Sequence, residues 1–184
     1  MLHAVSRDSG LASGSIVYIG SANPTNFGSL INEFSWKGFS LAVNISYSLG
    51  YYFRKNAFSS DALINNGITT SDYSKRWQQA GDETTTNVPA LVYTNYPQFS
   101  IRDNFYKYSE VNVLKADNVR LQYLTLAYSI MNKIGKLRME QIQVYLNAAN
   151  LGIVWRANKE QLDPDYPSSL QPAKSYTVGI RANF

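Results

Sequence analysis

Between Phe39 and Leu49 the sequence reads FSLAVNISYSL, in which Phe39, Leu41, Val43, Ile45, Tyr47 and Leu49 alternate without a break with Ser40, Ala42, Asn44, Ser46 and Ser48. A helix would spread apolar residues spaced by two around its whole circumference, whereas a strand sends all of them to one side. The run therefore folds as a strand with one apolar and one polar face. The stretch before it, about 28 to 36, is its partner in a hairpin: Leu30, Phe34 and Trp36 share one face with Asn32, and Ile31 lies with Glu33 on the other. Lys37 and Gly38 between the two arms supply the residues of a tight turn.

The same period returns three more times. SYTVGIRANF at 175–184 places Tyr176, Val178, Ile180, Ala182 and Phe184 on one side, and Ser175, Thr177, Gly179, Arg181 and Asn183 on the other. QIQVYLNAANL at 141–151 alternates Ile142, Val144, Leu146 and Ala148 with Gln143, Tyr145, Asn147 and Ala149. NVRLQYLTLAYSI at 118–130 slips in phase: Val119, Leu121 and Tyr123 lie on one face, Leu124, Leu126, Tyr128 and Ile130 on the other. Either a bulge sits near Tyr123 or both faces of that strand are covered.

Between the strands the pattern is lost. Residues 50–116 are dominated by Asn, Thr, Ser, Asp and Tyr and hold no period for ten residues, so they read as a long loop region whose length points to a function. Residues 1–27, punctuated by Gly, Ser, Asn and Pro, read as loop or the remnant of a preceding segment, and the fold proper is expected at 28–184. The links run short (37–38), very long (50–116), short (131–138) and long (153–173), so short ones fall at one end of the sheet and long ones at the other. Membrane β-barrels have this segregation, with short periplasmic turns and long external loops. Aromatics gather at both ends, with Trp36, Phe39, Tyr128 and Phe184 by the short links and Tyr47, Trp155 and Tyr176 by the long ones, as two interfacial girdles require.

Composition narrows the function. Only 16% of residues are charged, against 45% apolar and 14% aromatic, and Tyr occurs fourteen times. Soluble domains carry about 25% charged residues. The net charge of +4 is spread along the chain without a basic block, which argues against nucleic acid. Cys is absent and His3 is the single histidine, so thiol chemistry is excluded and a Ser-His-Asp or histidine-metal site has little to work with. The acidic pairs Asp82/Glu83 and Asp163/Asp165 lie beside Gly or Pro in loops and read as turn chemistry. Neither a catalytic centre, a metal site nor a cofactor is expected. No stretch reaches the roughly 18 apolar residues of a membrane helix, which leaves a barrel open because its strands alternate.

The motifs resemble those of SusC/RagA-type TonB-dependent outer-membrane transporters. NPTNFGSLINEFSWKGFSLAVNISYSLG is similar to a family hairpin with Asn-Pro, Phe-Gly and an aromatic-Lys-Gly-Phe turn, and NVRLQYLTLAYSI resembles a Leu-Arg-Leu-Lys-Asn-x-x-Leu-Gly-Tyr strand, with Gln122 and Ala127 departing from it. QVYLNAANL, LDPDYP and QPAKSYTVGIRANF resemble three further family segments, in the family's order, over about residues 17–184. The resemblance implies an all-β segment of about five antiparallel strands from the C-terminal part of a large transmembrane β-barrel with long external loops. It also implies import of oligosaccharides or peptides with a SusD-like lipoprotein, TonB energy coupled through a missing N-terminal part, and the outer membrane of a Gram-negative, Bacteroidetes-like bacterium. In that setting Phe39, Val43, Ile45, Tyr176, Val178, Ile180 and Phe184 face outer-membrane lipid or serve assembly, with the terminal Phe184 resembling a signal for the assembly machinery. Thr177, Gly179, Arg181 and Asn183 face the lumen or plug.

Trp77, Tyr93, Tyr96 and Phe99, set among amides and hydroxyls, are the candidate substrate or partner contacts, because flat rings give area at low entropic cost. They equally suit packing of the loop on itself or docking of a lipoprotein. A soluble β-sandwich or open-barrel glycan-binding module is the alternative to the transporter reading.

Overall fold

The computed structural model describes residues 2–5, 16–130 and 141–183. In chain order its elements are β1 (Leu2–Val5), β2 (Ile16–Gly20), β3 (Asn26–Trp36), β4 (Phe39–Leu49), β5 (Tyr52–Arg54), α1 (Ser60–Asn66), α2 (Phe99–Tyr108), β6 (Val113–Lys115), β7 (Asn118–Ile130), β8 (Gln141–Arg156) and β9 (Ser175–Asn183). The fold is mostly β, and its centre is an antiparallel sheet in the order β3-β4-β7-β8-β9. The expected turn at 131–138 and Phe184 lie outside the described residues.

Two compact units share the chain. The larger sheet, with its connections, makes up one, consisting of Pro24–Gly50, Asp117–Gln161 and Leu170–Phe184. Its first hairpin closes as the turn residues dictate. Trp36 pairs with Phe39 across a two-residue loop in which Lys37 (φ 46°) and Gly38 (φ 88°) both take positive φ, the requirement of a type I′ turn. A side chain at Gly38 would also press on the Ser129 carbonyl, 2.9 Å from a Cβ placed there, while the Ser129 N–H donates to the Gly38 carbonyl at 2.8 Å. At the other end of these strands the Gly50 N–H donates to Asp117 Oδ1 at 2.7 Å, and the Asp117 carbonyl accepts from Ala157 N–H at 2.9 Å. One aspartate thus ties the ends of β4, β7 and β8.

The phase slip in β7 is a bulge. Asn44 pairs with Tyr123 and Ile45 with Leu121, so Gln122 is the extra residue and the apolar positions on either side of it return to the same face. On β8 the matching irregularity is Asn150, at φ 57°, followed by Gly152 at φ 102°. The strand continues past it to Arg156, five residues beyond the alternation visible in the sequence.

The second unit, Met1–Asn23, Tyr51–Ala116 and Leu162–Ser169, corrects the reading of 50–116 as loop. Its ends are zipped by β5 against β6, where Tyr52 pairs with Lys115 and Arg54 with Val113, over a core of Tyr51, Phe53 and Ala116. A separate core of Ala57, Phe58, Val88 and Tyr106 is joined by Leu63, Tyr73, Leu91 and Val111. Helix α1 starts where Ser59 Oγ accepts from Ala62 N–H at 3.1 Å and ends at Gly67, which takes a left-handed φ of 66°. Residues 1–27 likewise contain more than loop, since β1 and β2 pair with each other and β3 begins at Asn26.

Candidate functional site

Register decides which side chains share a face, because residues directly opposite in an antiparallel pair project to the same side. One row runs Trp36–Phe39–Tyr128–Val144–Ile180, the next Phe34–Leu41–Leu126–Leu146–Val178, and a third Asn32–Val43–Leu124–Ala148–Tyr176. Beyond the bulge Leu30, Ile45 and Leu121 continue the face, and Tyr47 and Val119 follow with Trp155. Asn32 is the one polar residue in these rows. The reverse side is mainly polar, carrying Glu33, Ser40, Asn44, Ser46, Gln122, Thr125, Gln143, Asn147, Thr177 and Arg181, with Ile31, Tyr123 and Tyr145 among them.

The two faces differ in exposure, in the opposite sense to a soluble sheet. In β4, β7 and the regular part of β8 up to Ala149, every exposed position is on the apolar face: Phe39, Tyr47, Leu126, Tyr128, Ile130, Val144 and Leu146. Polar-face positions in the same strands are half-buried or buried. Leu126 and Leu146 have strands on both sides and are still 41% exposed, so lateral neighbours cover them and no layer lies over them. The polar side chains instead bond to one another across strands. Gln122 Nε2 donates to Ser46 Oγ at 2.7 Å, Thr125 Oγ1 to Asn147 Oδ1 at 3.2 Å, and Gln143 Nε2 to Ser129 Oγ at 3.2 Å. Side chains crowd on this side and splay on the other.

Aromatic rings mark both ends of the apolar face. At the hairpin end the Phe39 and Tyr128 rings lie 4.5 Å apart between centroids, and the Lys37 ammonium sits 5.0 Å from the Trp36 ring. At the far end Tyr47 lies across Gly28, where an added Cβ would come within 2.9 Å of the Tyr47 hydroxyl. The stretch from Phe39 to Tyr47 spans about 26 Å along a strand, or about 20 Å along a barrel axis at a tilt of roughly 40°. An outer-membrane barrel carries an apolar band about 25 Å tall.

Of the residues expected on that face, Phe39, Val43, Ile45, Tyr176, Val178 and Ile180 share it, whereas Phe184 lies outside the described residues. Val178 and Ile180 on the edge strand are each 73% exposed, while Val43 and Ile45 are half-buried by their neighbours.

The loop aromatics are distributed differently. Tyr93, Tyr96 and Phe99 follow one another in turns closed by Tyr96 N–H to the Tyr93 carbonyl (2.9 Å) and Phe99 N–H to the Tyr96 carbonyl (3.2 Å), leading into α2. Tyr93 is 65% and Tyr96 50% exposed, and the Arg102 guanidinium stands 5.7 Å from the Tyr96 ring. Trp77 is tied to other partners: its backbone N–H donates to the Val88 carbonyl at 3.0 Å and its indole N–H to the Gln79 carbonyl. Beside it Asp82 accepts from the N–H groups of Gln78 (2.9 Å) and Gln79 (3.0 Å), which hold its carboxyl below the usual carboxylate range, and Glu83 accepts from Gly81 N–H at 2.8 Å. Asp163 Oδ1 accepts from Asp165 N–H at 3.0 Å. Both acidic pairs thus include carboxylates that serve as turn caps.

Sequence reasoning missed two features of this unit. A cavity of ≈ 340 Å³ opens between α1 and α2, lined by Asn56, Ser59, Asp61, Thr70, Asp103 and Lys107 among others. Asp103 joins the two helices, accepting from Ser59 Oγ at 2.7 Å and Asp61 N–H at 2.8 Å. The second feature is a buried ion pair, Lys55 Nζ to Asp72 Oδ2 at 2.9 Å. Residues so far apart in sequence leave no local signal.

No family model and no curated protein matches the sequence. Solved structures do match the fold. The structure of the RagAB peptide importer in the 'open-open' state matches with a TM-score of 0.61 and 24% identity. That of the RagAB peptide transporter gives 0.65 and 24%, and the importer in its 'closed-closed' state 0.65 and 23%. Each alignment covers 96% of this chain and 19% of the other, so the chain spans about a fifth of the length of the proteins it resembles. What the likeness establishes is architecture: the sheet and its folded insertion are built as one stretch of a peptide-importer chain is built.

Proposed function

We propose that the five-stranded sheet is part of the wall of a TonB-dependent outer-membrane transporter that imports peptides or oligosaccharides with a SusD-like lipoprotein. The observation that carries this reading is the reversed polarity of the sheet, with apolar side chains splayed outward and uncovered, and hydroxyl and amide side chains crowded and cross-bonded on the other side. In water such a face would be a severe aggregation hazard. In lipid it is the solvated state, and the interior of a transport barrel is polar. A soluble sandwich would bury these residues beneath a second sheet, which their exposure argues against.

On this reading Phe39, Val43, Ile45, Tyr176, Val178 and Ile180 contact lipid, and Thr177, Gly179 and Arg181 turn toward the lumen or plug. The edge strands β3 and β9 must be paired by other barrel strands, because hydrocarbon leaves no unpaired backbone groups satisfied. Residues 51–116 form one of the long links between strands, the kind that is external in an outer-membrane barrel, and Trp77, Tyr93, Tyr96 and Phe99 are the candidate contacts with substrate or partner. The fold likeness to a peptide importer favours peptides as cargo.

Uptake tests the reading. Deletion of the gene in its host should abolish growth on a specific set of peptides or glycans, and loss of TonB should reproduce the defect. Recovery of the protein from the buffer-soluble fraction, monodisperse without detergent, would reject it.

A further inference from the structure

Asp103 is only 8% exposed, yet half of its carboxylate is uncommitted. Oδ2 accepts from Ser59 Oγ at 2.7 Å and from Asp61 N–H at 2.8 Å, which fixes the group, while Oδ1 accepts from none of the described residues. Asp103 lines the ≈ 340 Å³ cavity between α1 and α2, and so does Asp61, whose Oδ1 accepts from Asn65 Nδ2 at 2.7 Å. Neither carboxylate forms an ion pair with a described residue. An ionised carboxylate as buried as that of Asp103 is costly unless a cation faces it.

The cation among the lining residues is Lys107, four positions after Asp103 on α2. Side chains at that spacing share a helix face, with Cβ atoms about 5–6 Å apart. The two nevertheless do not bond: Lys107 Nζ stands 5.5 Å from the Tyr108 ring and forms no ion pair with a described residue. Two carboxylates and an ammonium thus border one cavity without closing on each other. That pattern is complementary to a ligand that carries a cation and an anion a short distance apart. Ala57, Ala62 and Ile68 add an apolar part to the wall. Ligand pockets run from about 300 to about 1,000 Å³, so the volume here suits a ligand the size of one residue.

We propose that this cavity binds a free α-amino acid with a short apolar side chain. Its ammonium group meets Asp103 and Asp61, its carboxylate meets Lys107, and its side chain lies against Ala57, Ala62 and Ile68. Every group assigned belongs to the 51–116 unit, so the proposal stands or falls independently of the transporter reading. A ligand held by both helices stabilises the unit by mass action.

The test is calorimetric titration of the purified full-length protein with L-alanine, N-acetyl-L-alanine, L-alaninamide and calcium chloride. L-alanine should bind saturably and slow proteolysis within 51–116. Removing the charge at either of its ends should weaken binding about 10-fold or more, because hydrogen bonds between charged groups are the strong ones. Lys107→Gln should lower the affinity for L-alanine to that for L-alaninamide and leave L-alaninamide itself unaffected, whereas Asp61→Asn should weaken both. Both side chains are exposed, so proteolytic resistance of the two variants without ligand should match wild type. Equal affinity for L-alanine and N-acetyl-L-alanine would overturn the proposal. So would the lack of saturable L-alanine binding in the millimolar range, or saturation by calcium chloride in its place.

Discussion

Val43 and Ala42 are neighbours in sequence and lie on opposite faces of β4, so the pair isolates the environment of each face at one depth. Val43 sits midway between the rings of Phe39 and Tyr47, about 13 Å along the strand from either. Arginine on the lipid face costs about 2–4 kcal/mol at mid-depth and about 0–1 near the interfaces. Val43→Arg should therefore shift the folding equilibrium by roughly 30- to 700-fold, taking 1.4 kcal/mol per decade. Ala42 pairs with Glu33 on one side and Thr125 on the other, beside a cavity of ≈ 140 Å³ lined by those residues with Ser35 and Ser40. An arginine there has room and a carboxylate directly opposite, so Ala42→Arg should cost less than about 1 kcal/mol. The assay is the fraction of heat-modifiable, folded protein in the outer membrane of the native host. Equal losses for the two variants, or a greater loss for Ala42→Arg, would refute the assignment of faces.

Other parts of the chain give independent checks. Phe58, 1% exposed in the core of the 51–116 unit, should cost about 3–5 kcal/mol when changed to Ala, seen as fast proteolysis within 51–116 while the sheet stays protected. Lys55→Met leaves buried Asp72 with only the exposed Lys75 ammonium at 3.8 Å and should cost up to about 3 kcal/mol, whereas Lys55→Met/Asp72→Leu should recover most of the loss in the same assay. Gly38→Val puts a β-branched residue at φ 88° against the Ser129 carbonyl and should lower the yield of folded barrel, while Lys37→Asn, which keeps the turn chemistry, should not. If residues 51–116 are external, as proposed, protease added to intact cells should cut within them before anywhere in the sheet.

The sequence disclosed the sheet well because the information there is local. Alternation in β4 ends at Phe39 and Leu49 in both sequence and structure, and the phase slip at Tyr123 marked the Gln122 bulge to within a residue. The insertion was opaque for physical reasons. Helices α1 and α2 have seven and ten residues, too short for a 3.6-residue period to stand out, and α2 divides its apolar side chains between core and surface. Ser59 and Gly67 did carry the capping signal of α1. The Lys55–Asp72 pair and the cavity between the helices depend on residues brought together only by tertiary structure. Trp77 illustrates the same limit, since its backbone N–H donates to the Val88 carbonyl, a pairing that the composition of the segment does not show.

Single cysteines placed along β4 make the central claim directly measurable, since these 184 residues contain no native thiol to compete for the label. Each position from 39 to 49 would carry a spin label in turn, with collision rates measured against oxygen, which partitions into lipid, and against a water-soluble nickel chelate. The account predicts a period of two, with positions 39, 41, 43, 45 and 47 accessible to oxygen and the even positions not, and oxygen accessibility greatest near 43. Accessibility to the nickel chelate at the odd positions, or an alternation of reversed phase, would contradict the claim that the apolar face of this sheet lies against lipid.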